Sequence, residues 1–307
     1  MKKIIIILTL FLLVSCGAAP QVEDQEGLRV VTSSFPLYEF VREIAGDSLQ
    51  LELLLPPGAE VHSYEVSPVD MKKITNSDLF LYVGGDSDHW IDEMMESSDL
   101  EVKNFLRLMD HVKLLSEEES ASMVAEEDEH EDEYDEHIWL SLENSQLMVD
   151  AITDKLVELD ADKADAYKSR SEQFKNELSR LEEDYKELVD TSLRKVIIVG
   201  DRFPFLYLVR SLGLDYDAAY PGCSANVEEN AQAIKGLIDR VRAEDIPVVF
   251  TIEMSRGTIA DRIVEETGAK KLMLHSLQNV TKEEMEAGEG FISLMEKNLE
   301  VLEEALN

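Results

Sequence analysis

Histidine is the residue type in this sequence whose number and placement best support metal chemistry. Neutral imidazole is a common ligand of divalent transition metals. The chain contains six histidines: His62, His89, His111, His130, His137 and His275. No two of them have the spacing of an HExxH motif or of a Cys/His zinc finger. Any metal site must therefore combine ligands from segments that are distant in the sequence.

Two of the histidines lie next to predicted secondary structure where ligands can gather. His62 belongs to segment 58–68, GAEVHSYEVSP, between a predicted strand and a predicted helix. His137 belongs to segment 134–141, YDEHIWLS, where an acidic stretch gives way to apolar residues. Ligands of open α/β sheets bind outside the carboxyl ends of the strands, so the position of His62 is suitable. Each histidine taken alone would more often be an ordinary surface or capping residue.

Short apolar strands alternate with helical segments in the first part of the chain. Strands are predicted at 28–34, 51–55 and 79–83, with helices near 38–45 and 69–76 between them. Such alternation predicts parallel βαβ units.

A long helical segment separates this part from a second α/β unit. Residues 145–193 contain neither Gly nor Pro. One apolar stripe at spacings of three and four residues is formed by Phe174, Leu178, Leu181, Tyr185 and Leu188. Further strands are predicted at 195–199, 246–251 and 271–274, and a final helix at 290–306. The sequence therefore predicts an α/β protein with two parallel-sheet lobes joined by one long rigid helix.

The composition restricts the possible partners. The chain has 307 residues, with 65 Asp and Glu against 29 Lys and Arg, a net charge of −36, and 44% hydrophobic residues. This apolar fraction is sufficient for a core and argues against intrinsic disorder. The negative charge disfavours binding to nucleic acids and favours cations as partners. The two cysteines exclude a scaffold built on several disulfides.

The N-terminus has the features of an export signal. Lys2 and Lys3 precede an apolar run at 4–14, which is about half the roughly 20 residues that a spanning helix needs. The segment LVSC that ends at Cys16 resembles the bacterial lipobox, in which the cysteine becomes the lipid-modified first residue. We therefore expect a signal peptide at 1–15 and a lipid-anchored linker at 16–27. A plain signal peptide before a coincidental cysteine is the other interpretation.

Both histidine segments resemble motifs of one protein family. GAEVHSYEVSP resembles the HxYEPSP motif, and DEHIWLS the DPHVWLSP motif, of the zinc- and manganese-binding lipoprotein receptors of ABC importers. Segments 84–88, 220–224 and 265–270 also resemble family sequences, in the same order along nearly the whole mature chain. The family fold, two α/β lobes bridged by one long helix with a metal between them, agrees with the fold predicted above.

With this resemblance the chain divides into an N-terminal lobe, a connector and a C-terminal lobe. We predict the N-terminal α/β lobe at 28–160, with an acidic loop at 117–136 inside it. The connecting helix is predicted at 161–193, and the C-terminal α/β lobe at 194–307.

The resemblance also implies a metal site with ligands from four segments. The first two family ligands correspond to His62 and His137. The third, a histidine after the first strand of the second lobe, has no histidine counterpart here. Asp201 is expected in its place, with Glu253 as the competing oxygen donor. The fourth, usually an aspartate, corresponds to His275.

Three imidazoles and one carboxylate suit Zn²⁺, which accepts tetrahedral nitrogen and oxygen ligands. Mn²⁺ prefers more oxygen ligands and binds more weakly at the same site, so manganese or iron is the alternative cargo. Residues 126–136 include nine acidic residues in eleven and resemble the acidic loop of zinc receptors. Glu129, His130 and Glu131 would then collect cations for the main site. A solvated tether is the other interpretation of this loop.

The sequence thus predicts a binding protein and not an enzyme. We expect a monomer, anchored at the extracytoplasmic face of the bacterial cytoplasmic membrane, that captures Zn²⁺ and delivers it to an ABC permease. A secreted zinc hydrolase is the alternative from another class. It requires an open water position and a general base, and neither Glu65 nor Glu136 has a catalytic spacing. A role in cell adhesion, suggested for some family members, is not encoded in these motifs.

Overall fold

The computed structural model describes residues 27–91, 94, 104–116, 134–220, 222 and 230–307. The predicted signal peptide, the lipobox cysteine Cys16 and most of the acidic loop lie outside the described residues. Glu129, His130 and Glu131, the three residues expected to collect cations, lie outside them as well.

The first lobe is built on a parallel sheet of four strands. Its strands are β1 (Arg29–Thr32), β2 (Gln50–Leu53), β3 (Leu79–Tyr82) and β4 (Phe105–Arg107), in the order β2-β1-β3-β4. Two helices follow strands of this sheet, α1 (Phe35–Ala45) and α2 (Pro68–Thr75). Every residue of β3 is buried and apolar, as expected for a parallel strand that is covered on both faces.

The second lobe has the same strand order around its own parallel sheet. The strands are β5 (Val196–Val199), β6 (Asp215–Ala218), β7 (Val248–Thr251) and β8 (Lys270–Met273), in the order β6-β5-β7-β8. The helices of this lobe are α5 (Leu206–Leu212), α6 (Ala231–Ala243), α7 (Thr258–Thr267) and α8 (Lys282–Ala287). The chain runs from β5 to β6 on one side and then crosses to β7 on the other. The boundary between β5 and β7 is therefore a topological switch point.

Three longer helices complete the fold: α3 (Leu142–Leu159), α4 (Ala164–Thr191) and α9 (Phe291–Leu306). The 28 residues of α4 give it a length of about 42 Å. Its buried stripe consists of Tyr167, Ser171, Phe174, Leu178, Leu181, Tyr185 and Val189. Among the helices that the structure describes, none is both long and apolar enough to cross a bilayer.

An aromatic cluster joins the first helix to the long helix and to the last helix of the chain. The ring of Phe40 in α1 lies edge-on to Phe174 of α4 and to Phe291 of α9, with centroid distances of 5.5 and 4.9 Å. Tyr185 of α4 donates a hydrogen bond of 2.6 Å to the carbonyl of Met295 in α9. Because these contacts belong to one continuous hydrophobic core, the long helix is packed between the lobes.

The fold class predicted from the sequence is confirmed, but two strands were missed and two helices were merged into one. Strand β6 was missed because Asp215 and Asp217 interrupt its apolar pattern, and β4 because it has only three residues. The segment 145–193 is not one helix, since α3 ends at Leu159 and α4 begins at Ala164. Asp160 adopts a non-helical backbone and accepts a hydrogen bond of 3.1 Å from the Tyr167 hydroxyl, which stabilises the break.

Candidate metal centre

His62 lies where the first lobe contacts the second. It belongs to the 3₁₀ turn Val61–Ser63, beyond the carboxyl end of β2. The loop before this turn is tied to the second lobe by Asn279, whose side-chain amide donates to the carbonyls of Pro56 and Ala59, both at 2.9 Å. The position of His62 is thus defined by contacts from both lobes.

His137 lies at the same boundary between the lobes. It is 2% exposed and precedes the 3₁₀ turn Ile138–Leu140. The indole of Trp139 donates a hydrogen bond of 2.8 Å to the carbonyl of Ser276, which belongs to the second lobe. The imidazole of His137 packs beside this indole, with a distance of 5.3 Å between the ring centroids.

The hydrogen bonds of His137 assign its tautomer. Its Nδ1 lies 3.1 Å from Oδ1 of Asp135, which also accepts the backbone N–H of His137 at 2.8 Å. A carboxylate only accepts hydrogen bonds, so Nδ1 carries the proton and Nε2 has the lone pair. Nε2 is buried from solvent. A histidine that binds a metal through one nitrogen and donates to a carboxylate through the other is a recurrent arrangement.

The tautomer of His62 follows from a chain of three groups. The Ser87 hydroxyl donates to Oε1 of Glu136 at 2.6 Å, and the Ser87 backbone N–H donates to Oε2 at 2.8 Å. Nδ1 of His62 lies 3.3 Å from the same hydroxyl oxygen. Since the single hydroxyl proton points to Glu136, the oxygen accepts from Nδ1–H of His62. Its Nε2 therefore also has the lone pair.

Glu136 connects this network to the second lobe. The side-chain amide of Gln278 donates to Oε1 of Glu136 at 2.8 Å. Gly85 allows the close approach, because a Cβ atom at this position would lie only 2.2 Å from Cβ of Glu136. Sequence reasoning missed Gln278. Its position three residues after His275, beyond the end of β8, could have indicated that Gln278 lies near the site.

His275 has the opposite ring arrangement. Its Nδ1 accepts a hydrogen bond of 2.9 Å from the backbone N–H of Leu277, so the ring proton is on Nε2. Nε2 faces Oε1 of Glu284, on α8, at 3.6 Å. Asn298 of α9 holds the backbone of His275 through two hydrogen bonds of 2.8 Å. Nε2 of His275 is buried without a hydrogen-bond partner among the described residues, so the ligand role expected from the sequence stays a prediction.

The carboxylates around His275 shift its pKa and their own. Burial disfavours the charged imidazole, but Glu253 and Glu284 outweigh this effect and raise the pKa of His275. The contact with His275, together with hydrogen bonds from Thr281, lowers the pKa of Glu284 to about 2.

The two carboxylates considered as the oxygen ligand have different surroundings. Asp201 follows β5 and is 8% exposed. Its Oδ2 accepts hydrogen bonds from the hydroxyls of Thr251, at 2.8 Å, and of Ser255. Both carboxylate oxygens of Glu253 accept hydrogen bonds from Ser276, one from its backbone N–H at 2.8 Å and the other from its hydroxyl. Glu253 therefore fixes the turn after His275.

Arg202, which sequence reasoning did not single out, forms an ion pair between the lobes. Its guanidinium contacts Glu60 of the first lobe through two hydrogen bonds of 3.2 and 3.3 Å. Burial opposes the charge of Glu60, but the hydrogen bond from Arg202 outweighs it and lowers the pKa of Glu60. The backbone N–H of His62 also donates to Glu60. The ion pair therefore lies directly beside the His62 turn.

Within the described residues, no group of three or more His, Cys, Asp or Glu side chains is arranged to hold a metal ion. His62 and His137 belong to one boundary network that includes Glu136 and Gln278. Asp201 and Glu253 are bonded to hydroxyl groups of the second lobe, and His275 faces Glu284.

Comparison with known proteins identifies the family. Residues 30–305 match the family model described as zinc-uptake complex component A, periplasmic. The chain is 30% identical over 309 residues to the zinc-binding lipoprotein AdcA of Streptococcus pneumoniae, an alignment that covers 99% of this chain and 61% of AdcA. It thus spans less than two thirds of that relative.

A second relative and a solved structure match over nearly their whole length. The high-affinity zinc uptake system protein ZnuA of Bacillus subtilis is 30% identical over 308 residues, which cover 98% of this chain and 96% of ZnuA. The crystal structure of the Zn(II)-bound ZnuA-like domain of S. pneumoniae AdcA is 28% identical with a TM-score of 0.76, covering 91% of this chain and 99% of that domain. The family resemblance inferred from the two histidine motifs is confirmed: the chain belongs to the family of periplasmic zinc-uptake component A.

Proposed function

We propose that this protein captures Zn²⁺ outside the cytoplasmic membrane and delivers it to the permease of an ABC importer. It acts as a binding protein without catalytic activity. Support comes from the family match over residues 30–305 and from relatives named as zinc-binding or zinc-uptake proteins. Manganese or iron is the alternative cargo, and the experiment below includes manganese.

The observation that carries this proposal is the matched arrangement of His62 and His137. Both rings donate through Nδ1, one to a hydroxyl that is bonded to Glu136 and the other to Asp135. Each ring thereby has its lone pair on a buried Nε2 atom at the boundary between the lobes. Neutral imidazoles oriented in this way are ready to bind Zn²⁺ without a change of tautomer.

For the protein carboxylate of the site we propose Asp201 and not Glu253. Both oxygens of Glu253 are bonded to Ser276, one of them to its backbone N–H, and releasing them would disturb the turn after β8. Asp201 keeps Oδ1 on the adjacent backbone N–H of Arg202, and its Oδ2 is held by two hydroxyl groups, which can rotate away. His275, whose Nε2 is buried without a hydrogen-bond partner among the described residues, stays a predicted ligand, and binding through this atom would require the ring proton to leave it. Since no described group of three donors is already assembled, zinc binding includes a rearrangement that brings Asp201 to the two histidines.

The proposal extends to the membrane. Acylation of Cys16 would hold the protein at the extracytoplasmic face, as the lipobox-like segment LVSC suggests. The binding protein would reach the permease as a lipid-anchored monomer. The acidic residues Glu129 and Glu131, with His130, would raise the local concentration of cations near His137.

Calorimetric titration of metal-stripped protein tests the site. We expect one bound Zn²⁺ and weaker binding of Mn²⁺. His62→Ala and His137→Ala should each weaken zinc binding by more than about 100-fold, because even outer partners of a ligand are typically worth 10–100-fold. His89→Ala and His111→Ala are matched controls, since both side chains are exposed. A His62→Ala, His137→Ala double variant with wild-type affinity would exclude this site.

A further inference from the structure

We propose that Gln278 is a positioning residue of the zinc site, and that it makes zinc affinity depend on the closed arrangement of the two lobes. The inference rests on the proposed function for the metal, whereas the effect of Gln278 on the His62 ring is measurable without metal. Gln278 belongs to the second lobe and is buried. Its side-chain amide donates to Oε1 of Glu136, a buried carboxylate of the first lobe, at 2.8 Å.

Glu136 transmits this contact to His62 through Ser87. The Ser87 hydroxyl donates to the same Oε1 atom at 2.6 Å, and the Ser87 backbone N–H donates to Oε2 at 2.8 Å. The carboxylate therefore directs the hydroxyl proton away from His62. The hydroxyl oxygen, 3.3 Å from Nδ1 of His62, accepts from that nitrogen. The chain of contacts thus ends on the ring nitrogen opposite to the one that would bind zinc.

The loop that carries Ser87 is held from inside the first lobe. Oδ2 of the buried Asp88 accepts hydrogen bonds from the backbone N–H groups of Val83 and Gly84, at 2.7 and 3.1 Å. These contacts fix the backbone of the loop without help from the second lobe. The part of the relay that depends on the other lobe is therefore the orientation of the Glu136 carboxylate.

The turn that carries Gln278 is held equally closely inside the second lobe. Both carboxylate oxygens of Glu253 accept from Ser276, whose hydroxyl oxygen in turn accepts the backbone N–H of Gln278 at 3.3 Å. Leu277 between them has a φ of 61°, a left-handed conformation that a leucine keeps only when its surroundings enforce it. Gln278 therefore moves together with the second lobe.

Separation of the lobes would remove the Gln278 amide from Glu136. The carboxylate would then lack one of its donors in a buried place and would turn towards other partners. Ser87 would lose its fixed acceptor, and the ring of His62 would no longer present one defined nitrogen to zinc. Because coupling between two equilibria is reciprocal, zinc bound to His62 would in turn favour the closed arrangement.

Zinc titrations of single and double variants test this relay. We expect Gln278→Ala and Ser87→Ala each to weaken zinc binding by about tenfold, as for other outer partners of a metal-binding histidine. Because both act through one chain, the double variant should also lose only about tenfold, whereas independent effects would multiply to about a hundredfold. Gln232→Ala, at an exposed position of α6, is the matched control and should leave zinc affinity unchanged.

A second substitution separates the hydrogen bond from packing. Gln278→Met keeps the length of the side chain but cannot donate, so we expect it to weaken zinc binding as much as Gln278→Ala. It also fills the buried space if the alanine variant does not fold.

The tautomer of His62 provides a measurement that needs no zinc. Long-range proton–nitrogen correlation spectra of metal-free protein with isotope-labelled histidine distinguish Nδ1–H from Nε2–H rings. We expect the Nδ1–H form of His62 in the wild type and a mixture of tautomers in Gln278→Met. The ring of His137 is the internal control, because its Nδ1 is held by Asp135.

Several outcomes overturn the inference. Wild-type or higher zinc affinity in Gln278→Met overturns the positioning role of the hydrogen bond. A loss of about a hundredfold in the double variant shows that Gln278 does not act through Ser87. An unchanged His62 tautomer in Gln278→Met overturns the relay as well. If the wild-type protein does not bind zinc, the proposed function fails, while the tautomer of His62 in metal-free protein still decides the relay.

Discussion

At the residue scale, His62 and His137 differ from His275 in the ring nitrogen that has the lone pair. His62 and His137 donate through Nδ1, whereas His275 accepts at Nδ1 from the backbone N–H of Leu277. The distinction depends on the atoms that surround each ring and not on the local sequence. His275 is therefore held differently from His62, although both follow a strand.

The carboxylate behind His137 should matter for zinc affinity. Asp135 accepts from both Nδ1 and the backbone N–H of His137. Asp135→Asn replaces the charged acceptor by a neutral one, which makes the imidazole a poorer donor to zinc. We expect zinc affinity to fall by about 10–100-fold, measured by competition with a chelating dye. Asp154→Asn, at an exposed position of α3, should leave the affinity unchanged. An Asp135→Asn variant with wild-type affinity would contradict the proposed role.

The contact between His275 and Glu284 predicts a pH-dependent contribution to stability. The pKa of Glu284 is lowered to about 2, so its contribution is complete above the ordinary value of 4.5 and is lost as the pH falls towards 2. We expect Glu284→Gln to lower the free energy of unfolding by about 1–2 kcal/mol at pH 6, after allowance for partial exposure. Urea denaturation should show this difference shrinking below pH 4.5. A difference that stays constant down to pH 3 would argue against the contact.

At the element scale, the fold depends on where helices begin and end against one another. Glu39 of α1 accepts the backbone N–H of Phe291, the first residue of α9, at 3.1 Å. It also pairs with Arg42 at 2.8 Å. Gly290 permits this approach, because a Cβ atom there would lie 2.5 Å from the Glu39 carboxylate. A buried acid thus joins the first helix of the chain to the last.

Glu39 should make the protein less stable at neutral pH than at pH 5. Burial raises its pKa to about 7, although Arg42 and the N–H of Phe291 oppose the shift. The folded state therefore binds the proton more tightly than the unfolded chain, and the free energy of unfolding falls as the pH rises from about 4.5 to 7. Glu39→Gln removes this dependence. Relative to wild type, we expect the variant to gain roughly 2–3 kcal/mol between pH 5 and pH 8 in urea denaturation.

Glu43→Gln is the control for this prediction, because Glu43 lies on the same helix and also contacts Arg42, but its side chain is 41% exposed. Its stability relative to wild type should change little between pH 5 and pH 8. Parallel pH profiles for Glu39→Gln and wild type would contradict the assignment of the titration to Glu39.

At the scale of the whole molecule, several hydrogen bonds hold the lobes together around the proposed site. The Arg202–Glu60 pair, the Gln278–Glu136 bond and the contact of Asn279 with the loop before His62 all cross the boundary. The net charge of −36 gives the protein a field that attracts cations. Selectivity, in contrast, depends on the few oriented nitrogen and oxygen atoms inside it.

The anchor is the prediction that concerns the molecule as a whole. Cys16→Ala should release the protein from the membrane fraction into the medium or the periplasm. It should also abolish labelling by a radioactive fatty acid, because several acyl chains on one cysteine provide the membrane affinity. Fractionation followed by immunoblotting measures the release. Cys223→Ala serves as the cysteine control, and a Cys16→Ala protein that stays in the membrane fraction would exclude the lipid anchor.

Most strands and the fold class could be predicted from the sequence because buried parallel strands consist of short apolar runs. β1, β3 and β5 illustrate this pattern. Strand β6 was not predicted because Asp215–Ala218 forms a strand through its pairing with β5 and not through an apolar pattern. The break between α3 and α4 was not predicted because it is stabilised by a hydrogen bond to Asp160 from Tyr167 in the next helix. Both features depend on contacts with another element, and the periodicity of a segment does not reveal such contacts.

The sequence alone determined the family and the two-lobe fold and indicated His62 and His137 as candidate metal ligands, because these follow from local motifs and apolar patterns. Only the tertiary structure distinguished the tautomers of the three histidines and brought Gln278 to Glu136. The physical reason is that hydrogen-bond direction and charge compensation are properties of groups that meet across the two lobes. Those groups include Asn279 and Pro56, which lie 223 residues apart in the chain.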